Sequence, residues 1–350
     1  MRTEDFDYNL PAEFIAQTAA QPRDSARLMV LHRNTLGDEA EIEHTIFAQL
    51  PRYLSAGDVL VLNQTKVIPA RLYAHKKPSG GKVEVLLLKK ENGILPNEGE
   101  VWTALLGGKN IKQDQQIEVE GGIPALIIKA FGDGRFQLRF EQPLSPLLSK
   151  IGNMPLPPYI KSYPKNPDDY QTVFAQDPGS AAAPTAGLHF THELLEKIRQ
   201  MGVRIEKITL HVGLDTFLPV HEEHPEDHKI HSEWCYVSQS TVNALRQAKE
   251  SGKRIIAVGT TTVSTLETLA QVNPKDPFSK GYEGTTRLYI LPGFSFQIVD
   301  AMITNFHLPK STLLMLVCAF AGRERVLRAY ETAKKEGYRF YSFGDAMLII

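Results

Sequence analysis

Three histidines stand in blocks otherwise built from small, hydroxylated or apolar residues. His189 closes "GSAAAPTAGLH" (Gly179–His189), His211 opens "HVGLDTFLPV" (211–220), and His307 lies within "ITNFHLPKST" (303–312). An imidazole titrates near neutrality, so it suits proton transfer at physiological pH. A lone histidine at a strand end also commonly serves packing alone. The first block carries so little side chain that its backbone can approach a ligand and read polar edges with N–H and C=O groups. The same composition suits a close strand–helix crossing. Phe190 follows His189 and offers a ring for stacking. A fourth block, "VGTTTVSTLE" (258–267), sets Gly259, Thr260 and Thr261 where a strand gives way to a helix. Free N–H groups there attract an anion, although ordinary capping explains a single junction of this kind.

A denser cluster follows the second block. "HEEHPEDHKIHSEW" (221–234) holds His221, His224, His228 and His231, with Glu233 beside them. Spacings of three and four resemble those of metal ligands. Pro225 breaks the segment, and Cys235 and Cys318 are poorly placed to complete a site. Substrate hydrogen bonding or loop fixing by His228, His231 and Glu233 is the favoured reading, with no metal.

The elements that must position these groups follow from periodicity. "GDVLVL" (57–62) reads as a strand. From there to Phe140, the runs "KVEVLLL", "EVWTALL", "QQIEVE", "PALIIKAF" and "RFQLRF" alternate with turns at about ten-residue spacing, which predicts a small all-β barrel. "GDGR" (132–135) fits a tight hairpin turn. After residue 154 helices and strands alternate. "THELLEKIRQMG" reads as a helix capped by Thr191 and stopped at Gly202, and "SQSTVNALRQAKESG", "TTVSTLETLAQ" and "STLLMLVCAFAG" read as further helices. "VRIEKITLHVG", "KRIIAVG", "TRLYILPG" and "FSFQIVDAMIT" read as strands. The fold class expected is α/β: a mainly parallel sheet with helices on both faces, built from 1–64 and 155–350, and an inserted small all-β barrel over 65–154. Open sheets of this class bind ligands at strand-to-helix junctions, where the histidine blocks fall.

The 350 residues are 42% hydrophobic and 23% charged, the composition of a soluble globule with ample core. Two cysteines exclude a disulfide framework and point to a reducing cytosol. The acidic start "MRTEDFDYNLPAEF" lacks an apolar signal core, and "TLLMLVCAFA" (312–321) is too short to span a bilayer. A cytoplasmic protein without a membrane partner is therefore expected. The net charge of −1 decides nothing about nucleic acid, because binding depends on local patches. Between Thr65 and Lys90, Lys66, Arg71, Lys76, Lys77, Lys82, Lys89 and Lys90 face one acid, Glu84. That imbalance suits phosphate contact, and a solvated charged face explains it equally.

Several blocks together carry a specific resemblance. "GSAAAPTAGLHFT", "TLHVGLDTF", "EDHKIHSEW", "AVGTTTVSTLE" and "VDAMITNFHLPKSTLLMLVCAFAG", in this order, resemble the signature blocks of the S-adenosylmethionine:tRNA ribosyltransferase-isomerases of queuosine biosynthesis. "FDYNLPAEFIAQ", "NQTKVIPARL", "GGKVEVLLL", "PLPPYI", "YQTVFA" and "YRFYSFGDAMLI" extend the likeness over nearly the whole chain. The resemblance implies an α/β domain with an inserted β-barrel. It also implies an enzyme that uses S-adenosylmethionine as ribosyl donor, without a metal or redox cofactor. The acceptor would be the aminomethyl-deazaguanine at the wobble position of a tRNA anticodon loop; epoxyqueuosine forms, and adenine and methionine leave. It further implies catalytic roles for His189, His307 and His211. Substrate contacts would come from Ala183, Pro184, Thr185, Gly187, Leu188, Phe190, Gly213, Thr216, Phe217, His228, His231, Glu233, Gly259, Thr260, Thr261, Asp300, Asn305 and Phe306. RNA contact would fall to Lys66, Arg71, Lys76, Lys77 and Lys82.

Two positions depart from the family pattern. Asp215 stands where the family has Gly, and Ser264 where it has Arg. An arginine would supply a bidentate anion partner that serine cannot replace; Lys310 is a candidate substitute charge. These departures motivate one alternative, a paralogue that uses S-adenosylmethionine or another nucleoside in a different transfer; a catalytically silent tRNA-binding module is the other. The sequence leaves oligomeric state open.

Overall fold

The computed structural model describes residues 1–33, 42–91, 99–132, 134–161, 166–213 and 219–350. The chain forms two compact units: Met1–Thr65 with Pro158–Asp177 and Ala183–Ile350, and Lys66–Pro157 with Pro178–Ala182. Asp133, at the expected "GDGR" turn, lies outside the described residues, as do Asp215, Thr216 and Phe217.

In chain order the strands begin with β1 (Arg27–Leu31), β2 (Ile42–Ile46), β3 (Val59–Asn63) and β4 (Thr65–Val67). The second unit supplies β5 (Arg71–Lys76), β6 (Lys82–Lys90), β7 (Glu100–Gly107), β8 (Gln116–Val119), β9 (Ile123–Ala130), β10 (Arg135–Phe140) and a short helix, α1 (Leu148–Ile151). Its six strands close antiparallel in the order β10-β7-β6-β5-β8-β9. Alternation does this: Leu72 and Ala74, Val83, Val85 and Leu87, and Ile123, Ala125 and Ile127 all point inward and are buried. β5 is the one barrel strand that periodicity did not single out.

β11 (Asp177–Ser180) pairs with β4. Then come α2 (His192–Gln200), β12 (Arg204–Leu210), β13 (Glu233–Val237), α3 (Gln239–Glu250), β14 (Ile255–Val258) and α4 (Thr260–Val272). β15 (Tyr282–Thr286), β16 (Ala301–Asn305), α5 (Thr312–Ala321), α6 (Arg323–Lys335) and β17 (Ala346–Ile349) complete the chain. Thr191, Ser238 and Ser311 cap α2, α3 and α5, each accepting a backbone N–H three residues on.

The main sheet runs β15-β13-β12-β3-β14-β16-β17-β1-β2. It is mixed, which corrects the expectation of a mainly parallel sheet. β12, β3, β14 and β16 are parallel neighbours, as are β17 and β1; the pairs β15/β13, β13/β12, β16/β17 and β1/β2 are antiparallel. The reason lies in the connections. Two helices, α5 and α6, stand between β16 and β17, so the chain re-enters the sheet from the opposite end. β13 follows β12 with no crossover helix among the described residues. Every residue of β3, β14, β16 and β17 is buried, so both faces of the centre are covered. On one face Leu60, Leu62, Ile256, Val258, Ala301 and Ile303 pack with Leu194, Leu195 and Ile198 of α2.

Two expected strands are also corrected. "TRLYILPG" is not a strand: β15 ends at Thr286, four residues after it begins. "FSFQIVDAMIT" is a strand only from Ala301. Glu267 of α4 claims the backbone N–H groups of Gln297, Ile298 and Val299 at 2.9, 3.0 and 2.9 Å, so these groups cannot enter a ladder. No helix among the described residues is long and apolar enough to cross a membrane.

Candidate functional site

A cleft lies in the first unit at one rim of the sheet. Val212 follows β12, Gly259 follows β14, and Asn305 ends β16. These three strands run parallel with β3, so their carboxyl ends meet at the same edge, where α/β sheets hold ligands. β17 is antiparallel to β16, so Tyr341 and Ser342, which precede it, reach the same rim. The mixed topology thus adds a wall to the cleft.

Gly259 caps α4 with φ of 91° and donates its N–H to Ile303 O at 2.7 Å. The left-handed backbone is the reason for glycine here. It lays the first turn of α4, with Thr260 and Thr261, along the cleft floor. Opposite stand Ala183, Pro184 and Thr185, the bare segment of the first block. Asn305 ties the walls together. Its Oδ1 accepts Thr185 Oγ1–H at 2.9 Å, and its Nδ2 donates to His189 Nε2 and to Tyr341 O, both at 3.2 Å. An amide with both N–H groups engaged holds loops rather than reads a substrate.

The three histidines have separated roles. His307 lines the cleft, and its Nε2 pairs with Thr304 Oγ1 at 2.7 Å. Its Nδ1 has no hydrogen-bond partner among the described residues. The His307 backbone N–H donates to the Tyr330 hydroxyl at 3.0 Å, which fixes the turn after β16. His189 is buried behind the wall, 5.1 Å from the Phe47 ring, and touches the cleft only through Asn305. Burial lowers both pKa values to about 3, so both rings are neutral. His211 stands where β12 ends, with Nδ1 at 2.8 Å from Thr65 Oγ1 and its ring stacked on Trp234. Burial lowers its pKa as well, against the opposing pull of Asp177.

Several sequence-based assignments are corrected by geometry. Phe190 is fully buried between Phe47 and Phe174 and cannot stack on a ligand. Leu188 packs inward too. Gly187 is small because a Cβ would come within 2.7 Å of Phe174 and 2.9 Å of Thr172, not because a ligand approaches. Asp300 lies at the other end of β16, about 16 Å from Asn305 at ~3.3 Å per residue. There it holds Lys249 at 2.6 Å and the Ile255 N–H at 2.8 Å. Phe306 borders the cleft, yet its side chain is buried against Tyr330, Tyr338 and Phe340. Lys310 is no substitute cation, because Asp7 takes its ammonium at 2.9 Å.

The histidine-rich segment clasps the N-terminus. His224 meets Met1 O at 3.1 Å, Arg2 pairs with Glu223 at 2.7 Å, and His228 pairs with Glu222 at 2.9 Å. His228 therefore fixes the loop, and His231 is exposed beyond it. Glu233 Oε1 accepts the Gly213 N–H at 2.9 Å and so steers the chain out of Val212. Among the described residues no three His, Cys, Asp or Glu side chains converge as metal ligands.

Sequence reasoning missed Tyr159, Thr304, Ser311, Tyr341 and Ser342, which line the cleft. The Tyr159 and Tyr341 rings pack with centroids 4.7 Å apart, tilted by 47°, and the Tyr159 hydroxyl meets Ser342 Oγ at 2.7 Å. Tyr341 has φ of 72°, a strained value for a bulky residue and the kind of outlier that gathers at functional sites. Their blocks, "PLPPYI" and "YRFYSFGDAMLI", were visible; nothing in their spacing placed them at this rim.

In the second unit, the basic run is largely neutralised. Lys76 is buried, donating to Lys109 O and, at 2.8 Å, to Asn110 O. Arg71 pairs with Glu84 at 3.0 Å and Lys77 with Glu118 at 2.9 Å. Lys66 and Lys82 are exposed and have no ion-pair partner among the described residues.

Comparison with known proteins places this architecture. A family model described as Queuosine biosynthesis protein matches residues 3–349. The chain is 49% identical to the S-adenosylmethionine:tRNA ribosyltransferase-isomerases of Thermotoga maritima and Aquifex aeolicus, over 100% of both chains in each case. It is also similar to the crystal structure of S-adenosylmethionine tRNA ribosyltransferase from Thermotoga maritima. There the identity is 41% with a TM-score of 0.56, over 99% of this chain and 100% of that one. A match that runs from the third residue to the last but one takes in every wall of the cleft, and the chain belongs to the queuosine biosynthesis protein family.

Proposed function

We propose that this chain is an S-adenosylmethionine-dependent tRNA ribosyltransferase-isomerase. It transfers the ribosyl part of S-adenosylmethionine to the exocyclic amine of the aminomethyl-deazaguanine at the wobble position of a tRNA anticodon loop, in the cytoplasm. The amine nitrogen gains a bond to the ribosyl carbon skeleton and gives up a proton. The bonds to sulfur and to adenine break, methionine and adenine leave, and the skeleton closes to the epoxycyclopentanediol of epoxyqueuosine. S-adenosylmethionine is consumed as co-substrate, and the reading needs no further cofactor.

The observation that carries the reading is the pairing of full-length identity to enzymes of that name with a cleft whose walls are the family-like blocks. Of the three histidines His307 is the one that lines the cleft, so proton handling is assigned to it. Its neutral ring can accept a hydrogen bond from a reacting group through Nδ1 while Thr304 holds Nε2. His189 is a positioning residue that acts through Asn305. The first turn of α4 offers N–H groups to the donor's carboxylate, and the Ala183–Thr185 backbone borders its nucleoside.

Incubation with S-adenosylmethionine and tRNA carrying the aminomethyl-deazaguanine, followed by mass analysis of the wobble nucleoside, tests this. Epoxyqueuosine with free adenine is expected. Adenine without a change in the tRNA would replace the reading by a different transfer. Salt-dependent tRNA binding without adenine would leave a silent binding module. His307→Ala should lower turnover more than tenfold in a folded protein, and near-normal turnover would remove His307 from the reacting groups.

A further inference from the structure

One face of the outer strands carries exposed side chains among the described residues. On β13, Cys235 and Val237 point into the core, while Trp234 is half-buried and Tyr236 exposed on the other side. The rings of Trp234 and Tyr236 are almost parallel, 6° apart, with centroids 6.5 Å from each other. The His211 ring continues the row, 4.9 Å from Trp234 and inclined by 24°. The backbone N–H of His211 donates to Trp234 O at 3.0 Å, so the row begins where Val212 enters the cleft. Opposite Trp234 and Tyr236, the edge strand β15 presents Thr285 and Glu283, both exposed.

Three flat rings in one file, with Tyr236 exposed and His211 and Trp234 half-buried, match the surface on which unpaired bases stack. Glu283 beside Tyr236 repels phosphate, so the face suits bases rather than backbone. We propose that His211, Trp234 and Tyr236 form a stacking platform for the unpaired bases that flank the modified position of the tRNA. The proposal rests on the ribosyltransferase reading and deepens it: the file starts at the cleft rim, so a strand with one base in the cleft can lay its neighbour on the rings.

The chain has two tryptophans, and the other, Trp102, is buried in the barrel with its N–H on Glu100 at 2.8 Å. Trp102→Phe therefore makes Trp234 the sole tryptophan emitter. An anticodon stem-loop RNA titrated into that full-length variant should quench its emission. Tyr236→Ala, at an exposed position, should weaken stem-loop binding about 5- to 150-fold, the range for one stack removed. Tyr236→Phe should bind as the parent does. The slope of log affinity on log salt should be the same in all three, because stacking releases no counterion. Emission unchanged at saturating RNA, or Tyr236→Ala binding as tightly as Tyr236→Phe, would overturn the platform while epoxyqueuosine formation still upheld the parent reading. A concentration-dependent dimer abolished in Tyr236→Ala would assign the face to a second copy and overturn it equally. A wild-type chain that neither binds the stem-loop nor modifies tRNA would sink the parent reading itself.

Discussion

His307 and His189 were recognisable in the sequence as histidines in bare surroundings, but their burial was not. Burial decides their chemistry. Both pKa values fall from 6.5 to about 3, so protonation is penalised in the folded state and not in the unfolded one. Between these values the unfolded chain binds more protons. Stability is therefore unaffected above about pH 7 and declines as pH drops from 6.5 toward 3, by about 1.4 kcal/mol per unit for each ring. His307→Gln removes one of the two groups. Urea unfolding at pH 7.5 and pH 5.0 should show the wild type losing about 2 kcal/mol more than this variant. Equal losses would mean that the ring is not held neutral.

At the level of elements, a single carboxylate overrides local propensity. "FSFQIVD" has the alternation of a strand, yet Glu267 is almost wholly buried and takes three consecutive N–H groups from 297–299. Burial alone raises its pKa, and these three hydrogen bonds pull against that rise. Glu267→Gln puts an NH₂ group against at least one of those donors, and a buried unsatisfied group costs about 1–3 kcal/mol. Thermal melting should move down accordingly, while Glu267→Asp, too short to reach all three, should fall between. An unshifted melt for Glu267→Gln would mean that other interactions hold the segment. Legible features are the local ones. Capped helices such as Thr191–Gln200 and Ser311–Ala321 announce themselves, because cap and period lie within a few residues. The barrel strands do so by alternation. Strand direction did not, since the antiparallel entry of β17 depends on a second helix between it and β16. The rim residues Tyr159 and Tyr341 arrive from segments about 180 positions apart, and no local signal joins them.

For the molecule as a whole, the net charge of −1 means that a polyanion must find cations left free by the fold. Seven basic residues fall between Thr65 and Lys90, and the fold engages most of them. Lys76 illustrates why a charge run misleads: its ammonium sits under two carbonyl oxygens, and it holds the barrel rather than facing solvent. Lys76→Glu replaces that donor by a buried acid and should destabilise the barrel by about 3–5 kcal/mol. A loss of tRNA affinity in that variant would follow from unfolding. Lys66 and Lys82 carry the informative experiment, because both are exposed and without ion-pair partners among the described residues. The double variant Lys66→Glu, Lys82→Glu should keep its melting point, bind tRNA more weakly, and flatten the plot of log affinity on log salt by about 1–2, near one for each phosphate no longer neutralised. Lys77→Glu, whose parent charge already sits on Glu118, should change the slope less. A full salt slope in the double variant would move the phosphate-binding cations away from this surface.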